Sequence, residues 1–271
     1  MTAHPLMRLT SRSHIAPAPW PWARWGAVLG LLLALLTCAP ARWVAAAMDQ
    51  ASGGRALLLA PSGTVWQGSG QLVLTGGSSS LDRLALPSRL NWQLYPAWSG
   101  ARLTLSADCC TPTPVQVSVM PHWGGARLQV QDHQSQWPAS LLVGLGTPWN
   151  TLQPQGQLAL STQDLSLDLT QGRMLLSGAA TLEARQVSSS LSTLRPMGHY
   201  RLTLNGGASA TLSLETLPDS PLQLTGSGRW VDSHLHFTGT ASAQAEYVNA
   251  LSNLLNIIGR RDGARSIIKL G

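Results

Sequence analysis

QLALSTQDLSLDL (residues 157–169) carries a leucine at every second position on both sides of a short polar break. Successive side chains of a β-strand point to opposite faces of the sheet, so this spacing gives a strand one apolar and one polar face. The same alternation recurs in QLVL (71–74), ARLTLSA (101–107), VQVSVM (115–120), ARLQVQ (126–131), YRLTL (200–204), TLSLE (211–215), LQLTG (222–226) and HLHFTG (234–239). Turn-forming pairs such as Gly124-Gly125 separate these segments. The pattern predicts a mostly β protein with a meandering antiparallel sheet.

The apolar faces of these strands need a cover, and the sequence leaves two architectures open. Two sheets can face each other in a sandwich. One long curved sheet can instead fold over on itself and leave a partly open groove. An apolar face that stays open usually marks a binding surface.

One strong helix is predicted near the C-terminus, over residues 244–258. Its apolar residues recur with the period of one helical face, at Tyr247, Leu251, Leu254, Leu255 and Ile258. Gly259 follows as a candidate C-cap, and RSIIKLG (265–271) is predicted as a last short strand. The helical face is a candidate interaction surface that packs either on the sheet or on a partner or membrane.

The N-terminal region contains an uncharged segment of 17 residues, 25–41, between Arg24 and Arg42. It is flanked by tryptophans on both sides and preceded by basic residues, as is typical of a transmembrane helix whose N-terminus is cytoplasmic. We therefore predict a cytoplasmic tail over 1–24, a transmembrane anchor over 25–43 and a periplasmic β-rich domain over 48–271.

A cleaved signal peptide is the alternative for the same region. Its parts are a basic start, an apolar core over 28–36 and the small residues Ala45-Ala46-Ala47 as a cleavage site. Both alternatives export the chain from residue 48 onward, so both place the β-rich domain outside the cytoplasm.

Charged residues make up only 11% of the chain, with a single lysine, Lys269. An ordinary soluble domain has about 25% charged residues. A nucleic-acid-binding surface needs lysines and arginines clustered across the fold. The composition therefore predicts no nucleic-acid partner.

Few residues suggest chemistry. His234 and His236 share one strand face behind Asp232, which is a weak metal-ligand pattern, and His122 and His133 flank a turn across which they could meet. The chain lacks a G-x-S-x-G motif, and its acids are scattered singly. We therefore predict no catalytic residue, no cofactor, no metal site and no enzyme activity.

Cys109 and Cys110 are adjacent in the exported part of the chain. In an oxidising compartment they could form a disulfide between neighbours, although relaxed disulfides favour Cα atoms further apart. Two loop thiols or a local link are the plain alternatives, because no C-x-x-C redox motif is present.

Several short motifs occur together in a recognisable order. They are GTVWQGSG (63–70), NWQLYPAW (91–98), LQPQGQLALS (152–161), LSTLRPMGHYRLTLNG (191–206), LTGSGRW (224–230), FTGTA (237–241) and LSNLLNIIGRRDG (251–263). In this order and at this chain length they resemble the type II secretion system protein N family, from about residue 25 to the end.

The resemblance implies a single-pass protein of the bacterial inner membrane with a periplasmic β-rich body. It implies an accessory role in moving folded proteins across the outer membrane, through contacts with other inner-membrane subunits of the system, and it brings no catalytic residues. A second hypothesis comes from the alternating leucines of residues 157–226. A curved sheet with an apolar inner side could instead bind lipid between the two membranes.

Overall fold

A computed structural model describes residues 20–77, 80–170, 173–231, 234–263 and 265–271. The chain divides into two compact units, of which the first ends at Ala39 and the second runs Pro40–Gly271. The predicted cytoplasmic tail lies mostly outside the described residues, as does Asp232 of the weak metal-ligand pattern.

The described part of the first unit is one helix, α1 (Trp20–Thr37). The span predicted over 25–43 is not one continuous helix, because α1 ends at Thr37 and the next helix begins only at Arg42. Pro40 lies in this break, and a proline both lacks an amide hydrogen and disfavours helix at the residue before it. Among the described residues, no helix combines the length and the apolar character needed to cross a membrane.

The described residues of the second unit form three more helices and sixteen strands. The helices are α2 (Arg42–Ser52), α3 (Trp149–Leu152) and α4 (Val248–Ile258), with 3-10 segments at Ala139–Leu145 and Ala245–Tyr247. The strands are β1 (Ala56–Gly63), β2 (Gln67–Thr75), β3 (Arg83–Ala85), β4 (Leu90–Ala97), β5 (Gly100–Ala107), β6 (Val115–His122), β7 (Gly125–Val130), β8 (His133–Pro138), β9 (Gln155–Thr170), β10 (Arg173–Ser188), β11 (Gly198–Asn205), β12 (Thr211–Thr216), β13 (Leu222–Val231), β14 (His234–Ala243), β15 (Arg260–Asp262) and β16 (Arg265–Leu270). The predicted β-rich class and C-terminal helix are confirmed.

All sixteen strands join one antiparallel sheet. Its order is β1-β2-β4-β5-β6-β7-β9-β10-β11-β12-β13-β14-β16-β15, with β3 beside β2 and β8 beside β9. The strands therefore form a meander within a single sheet rather than two separate sheets. Each strand pairs with a neighbour in sequence or with the next but one, as alternating segments with short turns predict.

The two leucine segments of residues 157–169 form one long strand rather than two short ones. At Asp164 and Leu165, β9 has one residue more than its partner β10, where Gly178 lies opposite. This bulge absorbs the change of phase in the leucine alternation, since one extra residue exchanges the two faces of a strand. Leu158 and Leu167 therefore lie on the same side of the sheet.

The sheet has two distinct ends, because neighbouring strands run in opposite directions. The turns that follow β1, β4, β6, β9, β11 and β13 all lie at one end, which we call the tip end. The turn at Cys109 and Cys110, the segment Ala139–Leu145 and α4 all follow strands that run the other way. They lie at the opposite end, which we call the base.

Two hydrophobic cores hold the sheet. The first contains Leu58, Leu86, Leu90, Trp92, Ala107, Cys110 and Leu141, against which Val44, Ala45 and Met48 of α2 pack. The second contains Met197, Tyr200, Leu222, Ala241 and the α4 residues Leu251, Leu254 and Leu255. The β9–β10 hairpin lies between them in the strand order, with Leu158 and Ala184 near the base.

Candidate interaction surface

Large apolar side chains project from three neighbouring turns at the tip end. Trp98 follows β4 and Trp123 follows β6, and both indoles are fully exposed. On the next hairpin, β9–β10, Leu169 is 39% exposed and Met174 is 66% exposed. We call Trp98, Trp123, Leu169 and Met174 the tip rim. Isolated exposed apolar residues are ordinary, but four at one end of a sheet mark an interaction surface.

The three turns lie side by side. Strands of one sheet are about 4.8 Å apart, so successive hairpin turns are separated by roughly 10 Å. Gly125 lies directly against the backbone of Leu169, where a Cβ atom would collide with the carbonyl oxygen. The turn of Trp123 is therefore fixed beside the β9–β10 hairpin by a position that only glycine can occupy.

The charge around the tip rim is basic. The three segments that carry it, residues 95–102, 120–127 and 167–175, contain Arg102, Arg127 and Arg173 against one acid, Asp168. All three arginines are exposed. The surface thus combines apolar side chains with a net positive charge.

The negative charge of Asp168 is balanced by hydrogen-bond donors within this surface. Arg127 donates two hydrogen bonds to Oδ2 of Asp168, at 3.0 Å from Nε and 2.7 Å from Nη2. Thr170 donates to Oδ1 at 2.6 Å, and His122 Nε2 lies 3.2 Å from the same oxygen. These bonds, first that of Thr170 and then that of Arg127, lower the pKa of Asp168 to about 2. The carboxylate therefore stays ionised and organises the polar side of the tips.

An apolar face leads from the cores towards the tip rim. A row of directly opposed leucines crosses β9 to β12, formed by Leu160, Leu182, Leu202 and Leu214. These side chains are half-buried, while Leu158 nearer the base is buried and Leu169 at the tip is exposed. Exposure of the apolar face thus increases from the base to the tip end.

A model of the type II secretion system protein N family matches residues 55–268. The chain belongs to this family. Comparison with curated proteins and with solved structures yields no match. The matched range begins one residue before β1 and ends within β16, so it covers almost the whole sheet. The resemblance drawn from the sequence motifs is confirmed.

Membership in the protein N family gives the chain an accessory role in type II secretion. The family is non-enzymatic, is found in the envelope as part of the secretion system and interacts with its other components. The coarse functional prediction, an accessory secretion protein with a β-rich body, therefore holds.

The apolar face of α4 in this protein N family member packs within the second core. Leu251, Leu254 and Leu255 are buried there, and Tyr247 and Ile258 are half-buried against the same cluster. Ile257, on another side of the helix, is 43% exposed. The residues predicted as an interaction helix are thus in contact with the sheet.

Cys109 and Cys110 are joined by a disulfide in the turn after β5. Cys110 is buried in the first core, and its carbonyl accepts a hydrogen bond of 2.8 Å from the amide of Gln136. The Cys109 amide donates to Ser88 Oγ at 3.2 Å. The pair therefore connects the base turn to two neighbouring segments.

His122 and His133 do not meet across the β6–β7 turn. His122 lies at the tip beside Asp168, whereas His133 begins β8 opposite Thr162, seven ladder positions or roughly 23 Å further along the strand direction. His133 Nδ1 is 3.5 Å from Thr113 Oγ1, and burial lowers the His133 pKa. His234 and His236 lie on the exposed face of β14, and the described residues contain no cluster of three His, Cys, Asp or Glu side chains.

Sequence reasoning missed the tip rim. The sequence does indicate that both tryptophans lie in turns, because Trp98 is two residues before Gly100 and Trp123 directly precedes Gly124-Gly125. A tryptophan in a tight turn between two alternating segments belongs to neither strand face. It therefore cannot enter the core that the strands build, and exposure follows.

Proposed function

We propose that this protein is a periplasmic accessory subunit of the type II secretion system, held at the inner membrane, which aids export of folded proteins through protein–protein contacts. Family membership supports the secretion role. The observation that carries the contact role is the open edge of the sheet at β15. Within the described part of the chain, β15 pairs with β16 alone.

An open edge strand is a template for adding a strand from a partner. All three residues of β15 are exposed, and two of them, Arg260 and Arg261, are basic. Lys269 and Arg265 on the adjacent β16 add positive charge, against Asp262 alone. The partner segment is therefore an extended strand of acidic character from another secretion subunit.

Site-specific photocross-linking tests this contact. A photoreactive residue at Arg261 should cross-link to a type II secretion subunit in secreting cells. The same residue at Arg229, exposed on the interior strand β13, is the matched control and should not. Equal yields at both positions, or unimpaired secretion after deletion of the gene, would contradict the proposal.

The attachment to the membrane rests on the apolar segment that precedes the body. Val28 and the leucines of α1 are exposed, including Leu29, Leu31 and Leu32. In the second unit, Val44 and Ala45 pack against the first core. Cleavage after Ala47 would remove this part of the core, which favours retention of the N-terminal segment over cleavage.

If the N-terminal segment is retained, the mature chain has a specific N-terminal residue that can be measured. Membranes extracted with alkaline carbonate should keep the protein, and its N-terminal sequence should begin at Met1 or Thr2. A mature chain that starts at Met48 and is released by carbonate would overturn the membrane attachment. The secretion role would remain.

Lipid binding is the second candidate function, and the row of opposed leucines across β9 to β12 favours it. These half-buried side chains present hydrocarbon without a charged group between them, which suits a phospholipid acyl chain. Native mass spectrometry of the purified full chain, released from a mild detergent, tests this. Co-purified phospholipid that is lost in Leu202→Asn but kept in Ser213→Asn would support lipid binding, and a lipid-free protein would exclude it.

A further inference from the structure

We propose that the tip rim rests on the periplasmic leaflet of the inner membrane and contacts its anionic phospholipids. The observation is the joint presence, at one end of the sheet, of fully exposed indoles and exposed arginines. The inference rests on the proposed periplasmic location. It adds a lipid-contacting surface and a fixed orientation of the body on the bilayer.

Indole rings favour the boundary between hydrocarbon and water, where their apolar ring and polar N–H are both accommodated. Trp98 and Trp123 stand on separate turns roughly 10 Å apart. Protein hot spots, by contrast, are usually gathered at the centre of a packed patch. Separate projecting indoles suit a soft surface into which each can insert individually.

The positive charge around the tip rim complements an anionic membrane surface. Arg102, Arg127 and Arg173 surround the tip rim, and the single acid, Asp168, is already paired with Arg127 at 2.7 Å. Phosphatidylglycerol-type headgroups carry the opposite charge. Basic side chains close to a membrane surface are attracted to anionic lipids, and salt screens this attraction within a Debye length.

The path of the chain points the same way. Pro40, the first residue of the second unit, forms an isolated bridge with Thr64 in the turn after β1. That turn lies at the tip end, so the chain enters the body at the end that carries the tip rim.

A fluorescent label distinguishes the two ends of the body. The full-length Cys38→Ser chain is labelled with an environment-sensitive dye through Ser99→Cys, beside Trp98, or through Thr193→Cys, an exposed position at the base. Each is reconstituted into vesicles of phosphatidylethanolamine and phosphatidylglycerol. Iodide quenching at position 99 should fall about threefold on the vesicles, because a label at the interface is shielded from an aqueous quencher. Position 193 should be unaffected.

Two further variants assign the shielding to the tip rim. Trp98→Ser with Trp123→Ser should restore quenching at position 99, whereas Leu59→Ser, which removes an exposed leucine from the sheet edge, should not. Far-ultraviolet circular dichroism checks that each variant keeps its sheet. Vesicles without phosphatidylglycerol, or high salt, should weaken the shielding.

Three outcomes would overturn the inference. Quenching could stay unchanged on the vesicles at both positions, or it could fall equally at both. Alternatively, shielding of position 99 could occur only in native membranes and be lost when the other secretion subunits are removed. The last outcome would identify a protein partner for the tip rim. None of them touches the proposed secretion role, which is measured separately by the exported protein in the medium.

Discussion

Gly178 lies against the main-chain carbonyl of Asp164 across the β9–β10 bulge, and both residues have positive φ angles, +83° and +48°. The left-handed region favours glycine, whose missing Cβ also leaves room for the carbonyl. This contact keeps the leucines on either side of the bulge on one face. The bulge is therefore the position on which the apolar face of the sheet depends.

Gly178→Ala should destabilise the protein by about 2–4 kcal/mol, because the new Cβ adds a steric clash to the cost of the positive φ angle. Urea unfolding followed by circular dichroism measures this. Gly53→Ala is the matched control, since Gly53 also has a positive φ, +60°, but faces open space. Its cost should be only about 1 kcal/mol. Equal losses would show that the Asp164 contact contributes nothing.

Asp168 should make stability depend on pH in the acid range. Its folded-state pKa is lowered to about 2, so its ionised form stabilises the folded protein above the unfolded pKa of about 4 and loses that effect as pH falls towards 2. The stability difference between wild type and Asp168→Asn should therefore be full at pH 6 and shrink between pH 4 and 2. Urea unfolding at several pH values measures it.

Thr170→Val and Arg127→Gln provide the controls for this pH effect. The first removes one and the second removes two of the hydrogen bonds that hold the charged form of Asp168, so each should raise the pKa of Asp168. Carboxyl titration by nuclear magnetic resonance reads this directly. An unchanged titration in both variants would mean that the tip network does not form in solution.

Leu255→Ala should cost about 2–5 kcal/mol, because it opens a cavity in the second core. Ile257→Ala, two residues further on the same helix but partly exposed, should cost less than about 1 kcal/mol. Denaturant unfolding compares the two. If both variants are equally mild, the apolar face of α4 is not packed on the sheet and a partner role for that face regains support.

Reduction of the Cys109–Cys110 bond should change stability by only about 1 kcal/mol, since a bridge between neighbours restrains almost no loop in the unfolded chain. Unfolding of the Cys38→Ser protein with and without dithiothreitol measures this. Cys110→Ser should cost more than reduction, because it places a hydroxyl at a position that is 2% exposed. A larger loss on reduction would assign the bond a structural role beyond the turn.

Local patterns predicted most of the fold. Alternating residues identified the strands and the 3.6-residue period identified α4, because in both cases one face of the element is buried by a single neighbouring surface. The bulge at Asp164 was not predictable in this way. A break in the alternation of apolar and polar residues is compatible with a turn or with a bulge. Only the pairing of β10 with both halves of β9 shows that it is a bulge.

α2 shows why the structure of the N-terminal region was harder to predict from the sequence. The stretch around Ala45 has the small residues of a cleavage site and also those of a helix that packs closely on a core. A packed helix at this stretch depends on contacts with the core of Leu58, Leu86 and Trp92, which are distant in sequence. Gly259 is a similar case. It occupies the C-cap position of α4, as predicted, but its backbone is extended, and a side chain there would meet the carbonyl of Ile267.

The neighbour-by-neighbour order of the strands has a consequence for how the protein is made. Contacts between residues close in sequence form without waiting for distant segments, and loop closure costs little for each hairpin. A polypeptide delivered unfolded from its N-terminus can thus assemble progressively as it emerges. The pairs β7–β9 and β14–β16 close only after the longer segments between them, which contain α3 and α4, have emerged.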